Sequence, residues 1–144
     1  MAKVLVVGGA GYIGGALTDQ LIDAGHDVRI FDNLLFEERY LKPVEFIFGD
    51  VRDAAALKPH MNWADTVVWL VGLVGDGACS LYPRLTEELN IESVNWLVRN
   101  FDRRIIFMST CSVYGAQDGI LTEESPFDPL SLYARSKVEG EKIL

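Results

Sequence analysis

In Lys3-Val4-Leu5-Val6-Val7-Gly8-Gly9-Ala10-Gly11-Tyr12-Ile13-Gly14, an apolar run of strand length ends directly on glycines at positions 8, 11 and 14. Ile13, Leu17, Leu21 and Ala24 then recur at helical spacing until Gly25 stops the helix, so the stretch reads as strand, glycine turn, helix. Each glycine has a separate task in such a turn. Gly8 makes the tight bend, Gly11 lets the backbone approach a pyrophosphate without a Cβ in the way, and Gly14 lets the helix pack closely on the sheet. The helix start, with Tyr12 and Ile13, offers free N–H groups and a partial positive charge to a diphosphate. A dinucleotide is therefore the expected ligand of this turn.

Outward from it, apolar runs of strand length alternate with segments of helical period, the pattern of a parallel sheet flanked by helices. The expected strands are Lys3–Val7, Val28–Phe31, Glu45–Phe48, Thr66–Val71 and Arg104–Ser109. The expected helices are Tyr12–Ala24, a short one within Val51–His60, Pro83–Asn100 with Leu85, Leu89, Val94, Leu97 and Val98 inward, and Ser131–Leu144 capped by Ser131. This predicts a doubly wound α/β fold of the Rossmann type binding its ligand at the carboxyl ends of the strands. The last helix has no stop signal, and a parallel sheet needs each crossover helix to return to a strand. Residues 1–144 are accordingly expected to be one dinucleotide-binding domain that halts inside a crossover helix, leaving an apolar edge beside Arg104–Ser109.

The 144 residues carry 13 Lys and Arg against 21 Asp and Glu, a formal net charge of −8. That balance argues against a protein that coats nucleic acid, which needs clustered cations to displace phosphate counterions. Any phosphate must be held locally, and the glycine turn does so with backbone. No apolar stretch approaches the roughly 20 residues of a membrane span. Two cysteines, Cys79 and Cys111, with no paired spacing, support neither a disulfide framework nor a thiol metal site, and a reducing cytoplasm is expected. His26 and His60 lack metal-ligand spacing, so no metal is expected. Trp63 in a loop, Trp69 in a strand and Trp96 in a helix are expected to pack rather than stack on bases.

Three further motifs carry chemistry. Asp32 closes the second strand 18 residues after Gly14, where an acid accepts hydrogen bonds from the adenosine ribose and would repel a 2′-phosphate. NAD is thus preferred to NADP, although Arg29 and Arg39 lie close in sequence and Asp32-Asn33 also reads as a simple turn. Gly49-Asp50-Val51-Arg52-Asp53 follows the third strand; Asp50 reads as a helix cap or as an acceptor for the adenine amino group, with Val51 against the ring. Tyr133 and Lys137 stand four apart and share a helix face. A phenol has a pKa of about 10, and a neighbouring ammonium favours the phenolate, making Tyr133 a usable base.

Gly8-x-x-Gly11-x-x-Gly14, Asp32-Asn33-Leu34, Gly49-Asp50-Val51-Arg52-Asp53, Asn90, Ser109-Thr110-x-Ser112-Val113-Tyr114-Gly115 and Tyr133-x-x-x-Lys137 follow in the order found in extended short-chain dehydrogenases/reductases. More narrowly, the chain resembles the NAD-dependent epimerase/dehydratase family acting on nucleotide sugars. The resemblance implies that Tyr133 is the catalytic base, that Lys137 binds the nicotinamide ribose and lowers the phenol pKa, and that Thr110 holds the substrate hydroxyl. It also implies that Asn90 is a structural and cofactor-contacting asparagine, and that Leu70-Val71-Gly72 is an apolar strand end beside the cofactor. Homodimerisation through Pro83–Asn100 and Ser131–Leu144 is implied as well.

Departures from the family pattern refine the expectation. Val7 and Gly15 replace a hydroxyl residue and a serine around the glycine motif. Cys111-Ser112 stand where sugar 4,6-dehydratases place an Asp-Glu pair, so epimerisation or reduction of a nucleotide sugar is expected over dehydration. Cys111 itself is expected to be a packed small residue, with no base adjacent to activate it. A short-chain reductase of a non-sugar carbonyl and a non-catalytic NAD-binding module are the competing readings.

Overall fold

The computed structural model describes residues 1–144, which fall into two compact units. The first comprises 1–71 and 100–108, the second 72–99 and 109–144.

The first unit is a five-stranded parallel sheet with β1 (Lys3–Val7), β2 (Asp27–Asp32), β3 (Glu45–Phe48), β4 (Thr66–Trp69) and β5 (Arg104–Phe107) in the order β3-β2-β1-β4-β5. The doubly wound order expected from the alternation is thus present. Val4, Val6, Val28, Ile30 and Val68, alternate residues on one face, form a buried cluster, and Leu5, Val7, Phe31 and Val67 between them are buried too, the continuous apolar burial typical of parallel strands. The register aligns Val7 with Phe31 on one side and with Trp69 on the other, so the strands end level. The direction of winding reverses beside β1, and the loops leaving β1 and β4 open at that switch point. The ladder continues one bond past the strands, with Gly8 N donating to Phe31 O at 2.8 Å and Leu70 N to Val7 O at 2.8 Å. Helix α1 (Tyr12–Asp23) follows the glycine turn, and α2 (Ala54–Trp63) precedes β4.

Strands β4 and β5 stop two residues earlier than expected, because the chain turns away as soon as ladder partners run out. Leu70 and Val71 therefore sit in a loop. Trp63 is the last residue of α2 and not a loop residue, and Arg29 stacks over its ring at 4.0 Å while pairing with Glu45 at 2.8 Å.

The second unit is helical: α3 (Asp76–Leu81), α4 (Pro83–Glu87), a π-helical turn (Glu88–Glu92), α5 (Ser93–Asn100), a 3-10 turn (Cys111–Tyr114) and α6 (Leu132–Ile143). Pro83–Asn100 is thus not one regular helix, and α3 precedes it unannounced. The π turn widens the helix at Glu88–Glu92 and rotates its buried face. Thr86, Asn90 and Ser93 are buried with Val94 and Leu97, whereas Leu85, Leu89 and Val98 are only partly so. Ser131 caps α6 as expected, its Oγ accepting from Ala134 N at 3.1 Å. No helix is long and apolar enough to cross a membrane.

Candidate functional site

In the first unit the glycine turn is held in shape by the second strand. Asp32 Oδ2 accepts from Ala10 N at 3.0 Å and Oδ1 from Leu34 N at 2.7 Å. One carboxylate thus fixes both the β1–α1 turn and the start of the β2–β3 loop, and retains lone pairs for a further donor. Gly8 has φ +81°, and a Cβ there would stand 2.9 Å from Val71 N, so the two switch-point loops touch through backbone. At Gly14 a Cβ would collide with the Gly9 carbonyl. Gly11 is different: a Cβ there would have no atom within 4 Å.

Gly11 is the N-cap of α1 and gives no side-chain cap, and the first turn holds no acidic residue. Tyr12 and Ile13 are exposed beside it. The unsatisfied N–H groups and positive end of α1 therefore face an open space that no side chain fills, an arrangement that fits the diphosphate of a dinucleotide.

After β3, Asp50 does not cap α2. Asp53 does, its Oδ1 accepting from Ala55 N and Ala56 N at 3.1 Å each. The reason is spacing, since only Asp53 stands immediately before the first helical residue. Asp50 instead binds Arg52 through both carboxylate oxygens, at 3.0 Å to Nε and 2.7 Å to a terminal nitrogen. Arg52 first, and hydrogen bonding from Asn33 last, hold the Asp50 carboxyl below its ordinary range, with burial opposing them. Asn33 and Asp50, named separately from the sequence, thus meet, with Val51 half-buried next to them. Arg29, engaged by Glu45 and Trp63, is not available to a 2′-phosphate.

In the second unit Asn90 lies on the π turn and is fully engaged. Its Oδ1 accepts from Leu73 N at 2.8 Å, and Nδ2 donates to Leu73 O at 3.0 Å and to Ser136 Oγ at 2.9 Å. Ser136 in turn donates to the Tyr133 carbonyl at 2.7 Å. Asn90 therefore locks the loop at Gly72 and Leu73 to the first turn of α6. A Cβ on Gly72 would stand 3.1 Å from Asn90 Oδ1. Ser136, next to Lys137 in the chain, is a residue the sequence did not single out; its only signal was a small polar residue inside the helical motif.

Thr110 caps the 3-10 turn, its Oγ1 accepting from Ser112 N at 3.2 Å, and its hydroxyl lies beside the Tyr133 phenol. Lys137, one turn along α6, is buried at 6% exposure. Thr110, Tyr133 and Lys137 are thus brought together in one unit. Burial raises the Tyr133 pKa above its ordinary value; the Thr110 hydrogen bond opposes this, while Cys79, Asp76 and Cys111 add to it. Desolvation sets the direction of the shift. The same burial takes Lys137 down to about 8. Cys111, expected to be packed, is exposed, since the 3-10 turn buries Val113 and points Cys111 outward; Cys79 is the buried thiol, donating to Leu73 O at 3.3 Å.

With that geometry in place, comparison with known proteins is direct. The family model "NAD dependent epimerase/dehydratase family" matches residues 4–144. UDP-glucose 4-epimerase of Neisseria meningitidis serogroup C is 32% identical over 161 residues, covering 100% of this chain and 48% of the relative. UDP-glucose 4-epimerase of Klebsiella pneumoniae is 34% identical over 138 residues, 85% of this chain and 99% of that sequence. The crystal structure of UDP-glucose 4-epimerase from Brucella ovis in complex with NAD superposes with a TM-score of 0.90 at 27% identity, over 100% of this chain and 47% of that one. The chain spans about half the length of the Neisseria relative and of the Brucella structure. Matched by that family model from residue 4 to residue 144, the chain belongs to the NAD-dependent epimerase/dehydratase family.

Proposed function

We propose that residues 1–144 supply the NAD-binding and proton-transferring portion of a nucleotide-sugar epimerase. The observation that carries this reading is Tyr133 one turn from a buried Lys137 on α6, with the Thr110 hydroxyl beside the phenol. When bound, NAD supplies a reversible two-electron oxidation at a sugar carbon. The Gly8–Gly14 turn and the start of α1 would hold the diphosphate, and Asp32 would accept from the adenosine ribose hydroxyls. Asn33, Asp50 and Val51 would border the adenine, and Leu70, Val71 and Gly72 would stand beside the cofactor.

Tyr133 Oη takes the proton of the sugar hydroxyl as the carbon is oxidised and returns it as the carbon is reduced. Thr110 Oγ1 would orient that hydroxyl, and Lys137 Nζ would bind the nicotinamide ribose. Reduction from the opposite face inverts the centre. The names of the Neisseria, Klebsiella and Brucella relatives support the 4-position of a UDP-hexose as the reacting centre. After Thr110, the exposed Cys111 and Ser112 offer no carboxylic acid for water loss, which favours epimerisation over dehydration. The protein is read as cytoplasmic and as a homodimer through Pro83–Asn100 and Ser131–Leu144.

The test is proton NMR of UDP-glucose incubated with the chain and NAD. Appearance of the C4 epimer, lost in Tyr133→Phe, is expected. NAD binding without any epimer would point to a binding module. Because Tyr133 holds its proton more tightly than an ordinary phenol, the oxidative half-reaction is expected to accelerate as pH rises from neutrality, and a flat profile would contradict its role as base.

A further inference from the structure

Glu141 lies one turn beyond Lys137 on α6, on the same helix face. The Ser109 hydroxyl, just past the end of β5, donates a hydrogen bond to Glu141 Oε1. The carboxylate is therefore fixed in place although its helix position alone would leave it mobile. We propose that Glu141 is a positioning residue for the Tyr133–Lys137 pair: clamped by Ser109, its carboxylate is the counter-charge that keeps the buried Lys137 side chain an ammonium ion. The proposal rests on the reading of Lys137 as the charged partner of Tyr133.

The need for a counter-charge follows from burial. An ammonium at 6% exposure has lost most of its hydration, and burial alone drives it toward the neutral amine. Glu141 opposes that drive, which leaves Lys137 at about 8, only slightly above neutrality. Other charged groups on the elements packed against α6 are directed elsewhere. Asp76 and Cys79 of α3 and Cys111 of the 3-10 turn act on the Tyr133 phenol. Glu88 of the π turn pairs with Arg84 at 3.1 Å, and Glu87 and Glu92 are exposed. On α6 itself Glu139 pairs with Lys142 at 2.8 Å. Glu141 is the carboxylate that acts on Lys137.

The experiment is an NMR titration of the Nζ groups of the full chain labelled with 15N-lysine, the Lys137 signal being assigned by its loss in Lys137→Met. In Glu141→Gln the Lys137 midpoint is expected to fall by about one pH unit, as removal of a single nearby opposite charge requires. Glu141→Asp, which keeps the charge, restores part of the fall. An unchanged midpoint in a folded Glu141→Gln variant overturns the proposal. Should that variant not fold, Ser109→Ala answers the same question: the midpoint must fall there by a smaller amount, and an unchanged one overturns the proposal. The readout needs neither NAD nor a sugar, so a midpoint that moves in a chain without epimerase activity would separate this inference from the functional reading.

Discussion

Replacing Lys137 by Met keeps an unbranched chain in the buried site but removes its charge, and the consequence for stability has a sign and a size. The unfolded chain binds the lysine proton up to its ordinary value of 10.5, whereas the folded chain binds it only up to about 8. Between these values the unfolded state holds more protons, so the contribution of Lys137 to stability rises with pH across that window. Below it, burying the ammonium costs about 3 kcal/mol relative to the buried amine, and above it nothing. From about pH 7 to pH 9.5 the cost falls by about 2 kcal/mol. Lys137→Met carries no such cost at any pH. Its packing and hydrogen-bond differences from the parent do not titrate, so they cancel when the two pH values are compared. Urea unfolding of parent and variant at both pH values is therefore expected to give a stability difference that shifts by about 2 kcal/mol in favour of the parent at the higher pH. A difference independent of pH would show that the folded state does not destabilise the charged form, and would remove the physical basis for Lys137 as a strained functional residue.

The glycines of the first turn separate fold from function. Gly14→Ala, whose Cβ meets the Gly9 carbonyl, is expected to cost about 1–3 kcal/mol in urea unfolding. Gly11→Ala, whose Cβ meets nothing, is expected to stay within about 1 kcal/mol of the parent while NAD affinity drops by about tenfold or more. Asn90→Ala leaves the Leu73 amide and carbonyl without their side-chain partner and frees Ser136, so a loss of about 2–4 kcal/mol and weakened protection of the α6 amides from hydrogen exchange are expected.

The parts of the fold legible in the sequence were those written in local period and spacing. Lys3–Val7, the glycine turn and α1 are contiguous, and the strand order follows once the alternation is accepted. Tyr133 and Lys137 were legible because four residues make one helical turn. Less legible was whatever depended on a break in that period. A π turn leaves no compositional mark, and it carries Asn90 rather than Leu89 inward, while Thr86 in α4 is buried with its hydroxyl bonded to the Cys79 and Tyr82 carbonyls. Asp50 was read as the cap because the start of α2 was not legible; the helix begins three residues later, at Ala54, which makes Asp53 the cap. Cys111 was misplaced because the 3-10 turn, invisible in an apolar pattern, sets its exposure. The clamp of Ser109 on Glu141 joins residues 32 apart in sequence and has no local signal.

The central claim is that the backbone of the glycine turn and the Asp32 carboxylate hold NAD. Amide NMR of the 15N-labelled chain titrated with NAD measures it most directly. One-to-one binding is predicted, with the largest shifts at Gly9 to Gly14, Asp32 and Asp50–Val51, and Asp32→Ala is predicted to weaken it. No binding, or shifts confined to residues away from that turn, would contradict the account.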